Sequence, residues 1–75
     1  MTEGVERLAI VGLGLIGSSI ARGARTYGLA RDIVAIDRDA GVIDRVNALN
    51  LADEASTEAS AVAGADLVIL CVPVR

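Results

Sequence analysis

Leu8-Ala9-Ile10-Val11-Gly12-Leu13-Gly14-Leu15-Ile16-Gly17 decides how this chain is read, together with an acidic residue, Asp37, at the end of the next apolar run. The apolar residues predict a buried strand, the glycines predict the turn that leaves it, and the segment from Leu15 onward predicts a helix. The helix N-terminus then faces the turn. Free backbone N–H groups and the positive end of the helix dipole converge on one point, an arrangement suited to a pyrophosphate. Gly12 permits the tight turn, Gly14 lets the backbone approach the phosphates, and Gly17 lets helix and strand pack closely. Asp37 stands at the spacing of a carboxylate that accepts hydrogen bonds from the adenosine ribose hydroxyls. The glycines alone would fit a strand-to-helix turn with no ligand, but that reading leaves Gly14 and Asp37 without a common cause.

Outward from this stretch, strand and helix patterns alternate. Residues 7–12 predict the first strand, a continuous apolar run typical of a parallel sheet covered on both faces. Ile16, Ile20, Ala24 and Tyr27 recur at helical spacing and predict a first helix that Gly28 ends, with Ala21, Gly23 and Ala24 small enough for close approach to the sheet. Residues 33–36 predict a second strand. Asp39 is placed to cap a second helix with Val42, Val46 and Leu49 on one face. A very short third strand is expected between Leu51 and Ser56. Ser56 or Thr57 then caps a short helix through Ala63, stopped by Gly64. Residues 67–72 predict the last strand, ended by Pro73. The alternation implies βαβ units and an α/β fold: a Rossmann-type parallel sheet, made of an N-terminal βαβαβ half plus one further strand.

Composition narrows the function classes. The 75 residues carry a net charge of −3, and all seven basic residues are scattered arginines. Tyr27 is the one aromatic residue. A nucleic-acid surface would want clustered basic groups with stacking rings, so that class is not expected. No signal peptide or membrane-length apolar stretch is read, which makes a cytoplasmic protein the default. The single Cys71 excludes a disulfide framework and reads as a small buried hydrophobe. There is no histidine, no lysine, no carboxylate cluster and no metal-ligand spacing, so no catalytic residue and no metal site is assigned. Asp53 and Glu54 are adjacent in an extended segment and point to opposite faces. Ser18 and Ser19, in the first helical turn, are expected to satisfy local backbone groups more than a phosphate. Asp66, at the amino end of the last strand, is expected to be structural.

The ligand of an open parallel sheet lies outside the carboxyl ends of its strands. The turn, Asp37 and the exit at Val72-Pro73 all fall there. The cofactor-binding residues expected are therefore Gly12, Gly14, Leu15, Ile16, Gly17, Asp37, Arg38, Val72 and Pro73. A carboxylate at the ribose 2′ position favours NAD. Arg38 leaves NADP possible, because a guanidinium there would contact a 2′-phosphate or stack on adenine. An apolar share of 53% is high for so small a chain and suggests edges meant to meet more protein. Residues 1–75 are thus expected to be the N-terminal part of a dinucleotide-binding domain, with the rest of a longer enzyme beyond Arg75.

Gly12-Leu13-Gly14-Leu15-Ile16-Gly17-Ser18-Ser19, Asp37-Arg38, and Ala65-Asp66-Leu67-Val68-Ile69-Leu70-Cys71-Val72-Pro73-Val74 together resemble the N-terminal region of prephenate and arogenate (cyclohexadienyl) dehydrogenases. The resemblance implies a parent enzyme of tyrosine biosynthesis that oxidatively decarboxylates prephenate or arogenate and passes hydride to NAD(P). It further implies a catalytic histidine and substrate-binding residues beyond Arg75, and a homodimer formed through a helical C-terminal region. The nucleotide half of another hydroxyacid or pyrroline-carboxylate dehydrogenase fits the same residues, as does a regulatory module that senses NAD without chemistry.

Overall fold

A computed structural model of the chain describes residues 5–71. Four strands and two helices alternate: β1 (Val5–Val11), α1 (Leu15–Thr26), β2 (Ala30–Ile36), α2 (Ala40–Ala48), β3 (Glu54–Ser56) and β4 (Leu67–Leu70), with a 3-10 turn at Ala59–Val62 before β4. All strand pairs are parallel and the order is β3-β2-β1-β4. The chain winds outward from β1 to β3 and then crosses back to lay β4 on the other side of β1. That reversal opens a crevice at the carboxyl end of β1, between the two directions of winding.

The apolar runs of β1 and β2 serve two faces at once. Leu8, Ile10, Ile33 and Ala35 join Leu13, Ala21, Ala24, Val46, Leu51 and Ala52 in a core beneath both helices. Ala9, Val34 and Ile36 point the other way, against Val11, Ala61, Val62 and Ala65 around the 3-10 turn. Ile10, Ile33, Val34 and Val46 are the largest side chains fully enclosed; burial of each stabilises the fold by about 1.5–3 kcal/mol. In β4, by contrast, Leu67, Val68 and Leu70 are exposed. The expectation of strands covered on both faces therefore holds for β1 and β2 and not for β4.

The periodicity reading holds in part for each helix: Ala24 and Val46 are buried, and Ile20 and Val42 are half-buried against the core. The buried stripe of α1 is Gly17, Ala21 and Ala24, whereas Ile16 and Tyr27 are exposed. Successive helical residues sit about 100° apart, so the helix is rotated by roughly one residue, and its smallest side chains meet the sheet. In α2 the buried residues are Ile43 and Val46; Val42 is half-buried, and Leu49 is exposed because it already lies at the C-cap. Asp39 caps α2 as its position predicts, accepting from the Gly41 N–H at 2.8 Å. Each helix closes with a left-handed residue, Gly28 (φ 65°) or Asn50 (φ 54°), and a bond from the next N–H back into the last turn: Leu29 to the Ala24 carbonyl, Leu51 to the Val46 carbonyl. The expected short helix before β4 is only the 3-10 turn. Ser56 does not cap it; its hydroxyl accepts from the Glu58 N–H.

Two aspartates start the outer strands by the same device. The Asp66 N–H donates to the Arg7 carbonyl while its carboxylate accepts from the Arg7 N–H at 2.9 Å. Asp53 does the same with Ile33, at 2.8 and 2.7 Å. In each case the carboxylate stands in for the carbonyl that one more strand residue would have supplied. This gives Asp66 the structural role its position predicts, and it separates Asp53 from Glu54. Glu54 instead binds the Arg7 guanidinium at 2.8 and 3.1 Å, which raises the pKa of Arg7 above its ordinary value. Asp66→Ala removes one charge-assisted bond and is expected to lower stability by about 1–2 kcal/mol. Glu6→Ala, at an exposed position, changes it by less than about 0.5 kcal/mol. Urea denaturation midpoints of the two variants check the difference.

Candidate functional site

The carboxyl ends of β1 and β2 are joined by the Gly12 N–H, which donates to the Ile36 carbonyl at 2.7 Å. Gly12 has φ 93°, in the region that a side chain rarely allows, and it turns the chain out of the sheet there. Gly17 fills the space beneath: a Cβ on it would lie 2.1 Å from the Gly12 carbonyl oxygen and 3.6 Å from the Cys71 side chain. The expected roles of Gly12 in the turn and Gly17 in close packing are both visible in these contacts. Gly14 differs. Its φ of −63° suits any residue, and a Cβ on it would meet no protein atom within 4 Å. Neither backbone conformation nor packing calls for glycine at that position.

Gly14 is also the N-cap of α1, and it brings no capping side chain. The first turn contains no acidic residue, so the helix dipole is not answered from within the turn. Leu15 and Ile16 hold their side chains in solvent, at 87% and 69% exposure. An apolar pair left this open at the mouth of a helix is not explained by packing. The Ser18 and Ser19 hydroxyls bond back along the chain, donating to the carbonyls of Leu13 (2.9 Å) and Leu15 (3.1 Å), so they satisfy local backbone groups as expected.

Asp37 follows β2 and faces the turn. One carboxylate oxygen accepts from the Leu13 N–H at 2.8 Å and the other from the Asp39 N–H at 2.9 Å. The Asp37 N–H itself donates to the Ser56 carbonyl at 3.1 Å. Beside it lies a cleft of about 270 Å³ lined by Val11, Gly12, Ile36, Asp37, Arg38, Thr57 and Ala59. Gly12, Asp37 and Arg38 are thus brought to one hollow, with Gly14, Leu15, Ile16 and Gly17 in the adjoining turn. Val72 and Pro73 lie outside the described residues.

Three residues of this region escaped the sequence reading. Leu13 is 3% exposed and is held at its N–H by Asp37, at its carbonyl by Ser18 and at its side chain by the core. A large apolar residue between two glycines was the available signal, since it has to be buried somewhere. Thr57 and Ala59 line the cleft because β3 is so short that the chain returns past its end. Nothing in their residue types announces that.

Residues 20–75 match the family described as "Prephenate dehydrogenase, nucleotide-binding domain". The cyclohexadienyl dehydrogenase of Zymomonas mobilis is 48% identical over 71 residues, which covers 93% of this chain and 24% of that protein. Among solved structures, arogenate dehydrogenase from Synechocystis aligns with a TM-score of 0.82 and 31% identity, over 89% of this chain and 23% of that one. Prephenate dehydrogenase from A. aeolicus, in complex with hydroxyphenyl propionate and NAD+, aligns with a TM-score of 0.84 and 28% identity, over 93% and 25%. The chain spans about a quarter of the length of each.

The two glycines of the helix start separate cleanly by substitution. Gly17→Ala forces a methyl group against backbone, and is expected to cost at least about 2 kcal/mol of stability. Gly14→Ala meets open space, and costs no more than about 1 kcal/mol at an N-cap. Thermal unfolding of both variants beside the parent protein checks this order.

Proposed function

We propose that this chain, which belongs to the prephenate dehydrogenase family through its nucleotide-binding domain, forms the NAD-binding part of a dehydrogenase that oxidatively decarboxylates prephenate or arogenate. The observation that carries the NAD reading is Gly14, a glycine required by neither backbone nor packing at the uncapped mouth of α1. A pyrophosphate seated over it accounts for the glycine, for the missing cap and for the absence of acid in the first turn. Gly12 and Gly17 shape the turn, and the N–H groups of Leu15 and Ile16 face the phosphates. Each Asp37 oxygen accepts one hydrogen bond from the protein and keeps a lone pair for a ribose hydroxyl. The adenosine lies in the cleft beside Arg38, Thr57 and Ala59. Val72 and Pro73 border the nicotinamide half.

Asp37 favours NAD over NADP, because its carboxylate would face the additional 2′-phosphate; Arg38, exposed next to it, leaves some affinity for NADP. Bound NAD supplies the hydride acceptor. This chain's residues bind and orient it, and the groups that act on substrate belong to sequence beyond Arg75. On this reading residues 1–75 are the N-terminal part of the domain, and further protein covers the exposed apolar side chains of β4. The enzyme is a cytoplasmic homodimer that pairs through that further sequence. Among the described residues no helix is long and apolar enough to cross a membrane.

The test is nicotinamide reduction by the protein expressed from the reading frame that carries this chain, supplied with prephenate, with arogenate and with neither. Reduction that depends on one of the two substrates is expected. A protein that binds NAD yet reduces none with either substrate contradicts the dehydrogenase reading. In the same protein, Gly14→Ala is expected to weaken NAD binding by about tenfold or more, a loss of about 1.4 kcal/mol. Titration calorimetry reads that loss, and unfolding of the same variant shows whether the fold is kept.

A further inference from the structure

We infer that Asp37 is also a positioning residue for the phosphate-binding turn, setting the conformation of Gly12–Gly14 through Leu13 and so governing affinity for the pyrophosphate as well as for the ribose. This rests on the dinucleotide binding proposed above for the same site.

A turn built on glycine is permissive, because without a Cβ the backbone has few steric limits. Gly12, at φ 93°, is therefore not kept in place by its own sterics. Its N–H is held by the Ile36 carbonyl and its own carbonyl abuts Gly17; beyond it the turn is held by Leu13, anchored at three points: the side chain in the core, the carbonyl on the Ser18 hydroxyl and the N–H on Asp37. The first two anchors come from the turn's own helix and the core beneath it. Of the three, only the Asp37 bond reaches the end of β2, across 24 residues of sequence, where it lies beside the bond from the Gly12 N–H to the Ile36 carbonyl.

The carboxylate is itself immobilised. Its second oxygen is held by the Asp39 N–H at 2.9 Å and its backbone N–H by the Ser56 carbonyl at 3.1 Å. It cannot rotate toward or away from a ligand without releasing both oxygens. A ribose hydroxyl can bind to the remaining lone pairs with the Leu13 bond intact. A 2′-phosphate repels the same carboxylate, and a displacement that breaks the Leu13 bond removes one anchor of the turn that grips the pyrophosphate. Discrimination between the two dinucleotides thus combines charge repulsion at the ribose with loosening at the phosphates.

The experiment separates the two roles with NAD and with its analogue lacking both hydroxyls on the adenosine ribose, which has nothing for Asp37 to bind. Dissociation constants are measured by calorimetry for the wild-type protein, Asp37→Asn and Asp37→Ala. An asparagine can keep the Leu13 bond through its single oxygen, giving up the bond from the Asp39 N–H because its NH2 group only donates; alanine offers no acceptor. Affinity for the dideoxy analogue is expected to stay within about threefold in Asp37→Asn and to fall about tenfold or more in Asp37→Ala. Equal affinity for that analogue in all three proteins overturns the inference and leaves the ribose role standing. A wild-type protein that binds neither dinucleotide overturns the proposed function and this inference together. Amide hydrogen exchange in the ligand-free wild type adds a reading that depends on no variant: a protected Leu13 N–H is expected, and an unprotected one overturns the inference.

Discussion

The approach of Gly17 to the Gly12 carbonyl is the constraint on which the rest of the structure depends. No side chain fits there, so the helix start and the strand end are pressed together backbone to backbone. That contact fixes how α1 is rotated. With Gly17 facing the sheet, Ala21 and Ala24 follow it one and two turns on, and all three are buried. Ile16 is carried to the outside by the same rotation. The uncapped N-terminus of α1 is thereby set at the crevice between β1 and β4, where the winding of the sheet reverses.

Around this contact the site is made almost wholly of backbone, with one carboxylate to organise it. Asp37 joins the glycine turn, the entry to α2 and the end of β3 through three hydrogen bonds. Groups held this way before a ligand arrives lose little freedom when it binds. The members of the prephenate dehydrogenase family matched by this chain share its fold over nine-tenths of its length or close to it. The 75 residues contain no histidine and no lysine.

Legibility in the sequence followed the range of the interaction. The turn, the Asp39 cap and the Gly28 stop depend on residues within a few positions of each other, and each is where the residue types place it. The alternation of apolar runs sufficed for the sheet, because β1 and β2 carry their own signal on both faces. The rotation of α1 was legible in its small residues, since Gly17, Ala21 and Ala24 were expected against the sheet and are buried there, and misleading in its large ones, since hydrophobic spacing favoured Ile16 and Tyr27, which are exposed. The end of α2 at Asn50 was hidden because asparagine takes the left-handed conformation less often than glycine. The Asp37–Leu13 bond joins positions that only the finished sheet brings together, and Thr57 and Ala59 reach the cleft for the same reason.

A crystal structure of the protein with NAD bound tests the central claim most directly. The adenosine ribose hydroxyls are expected within hydrogen-bond distance of the Asp37 carboxylate, and the pyrophosphate against the first turn of α1 above Gly14. The Leu13 N–H is expected to remain on Asp37 in the complex. A dinucleotide seated away from Gly14, or an Asp37 carboxylate turned from both ribose and Leu13, would contradict the account.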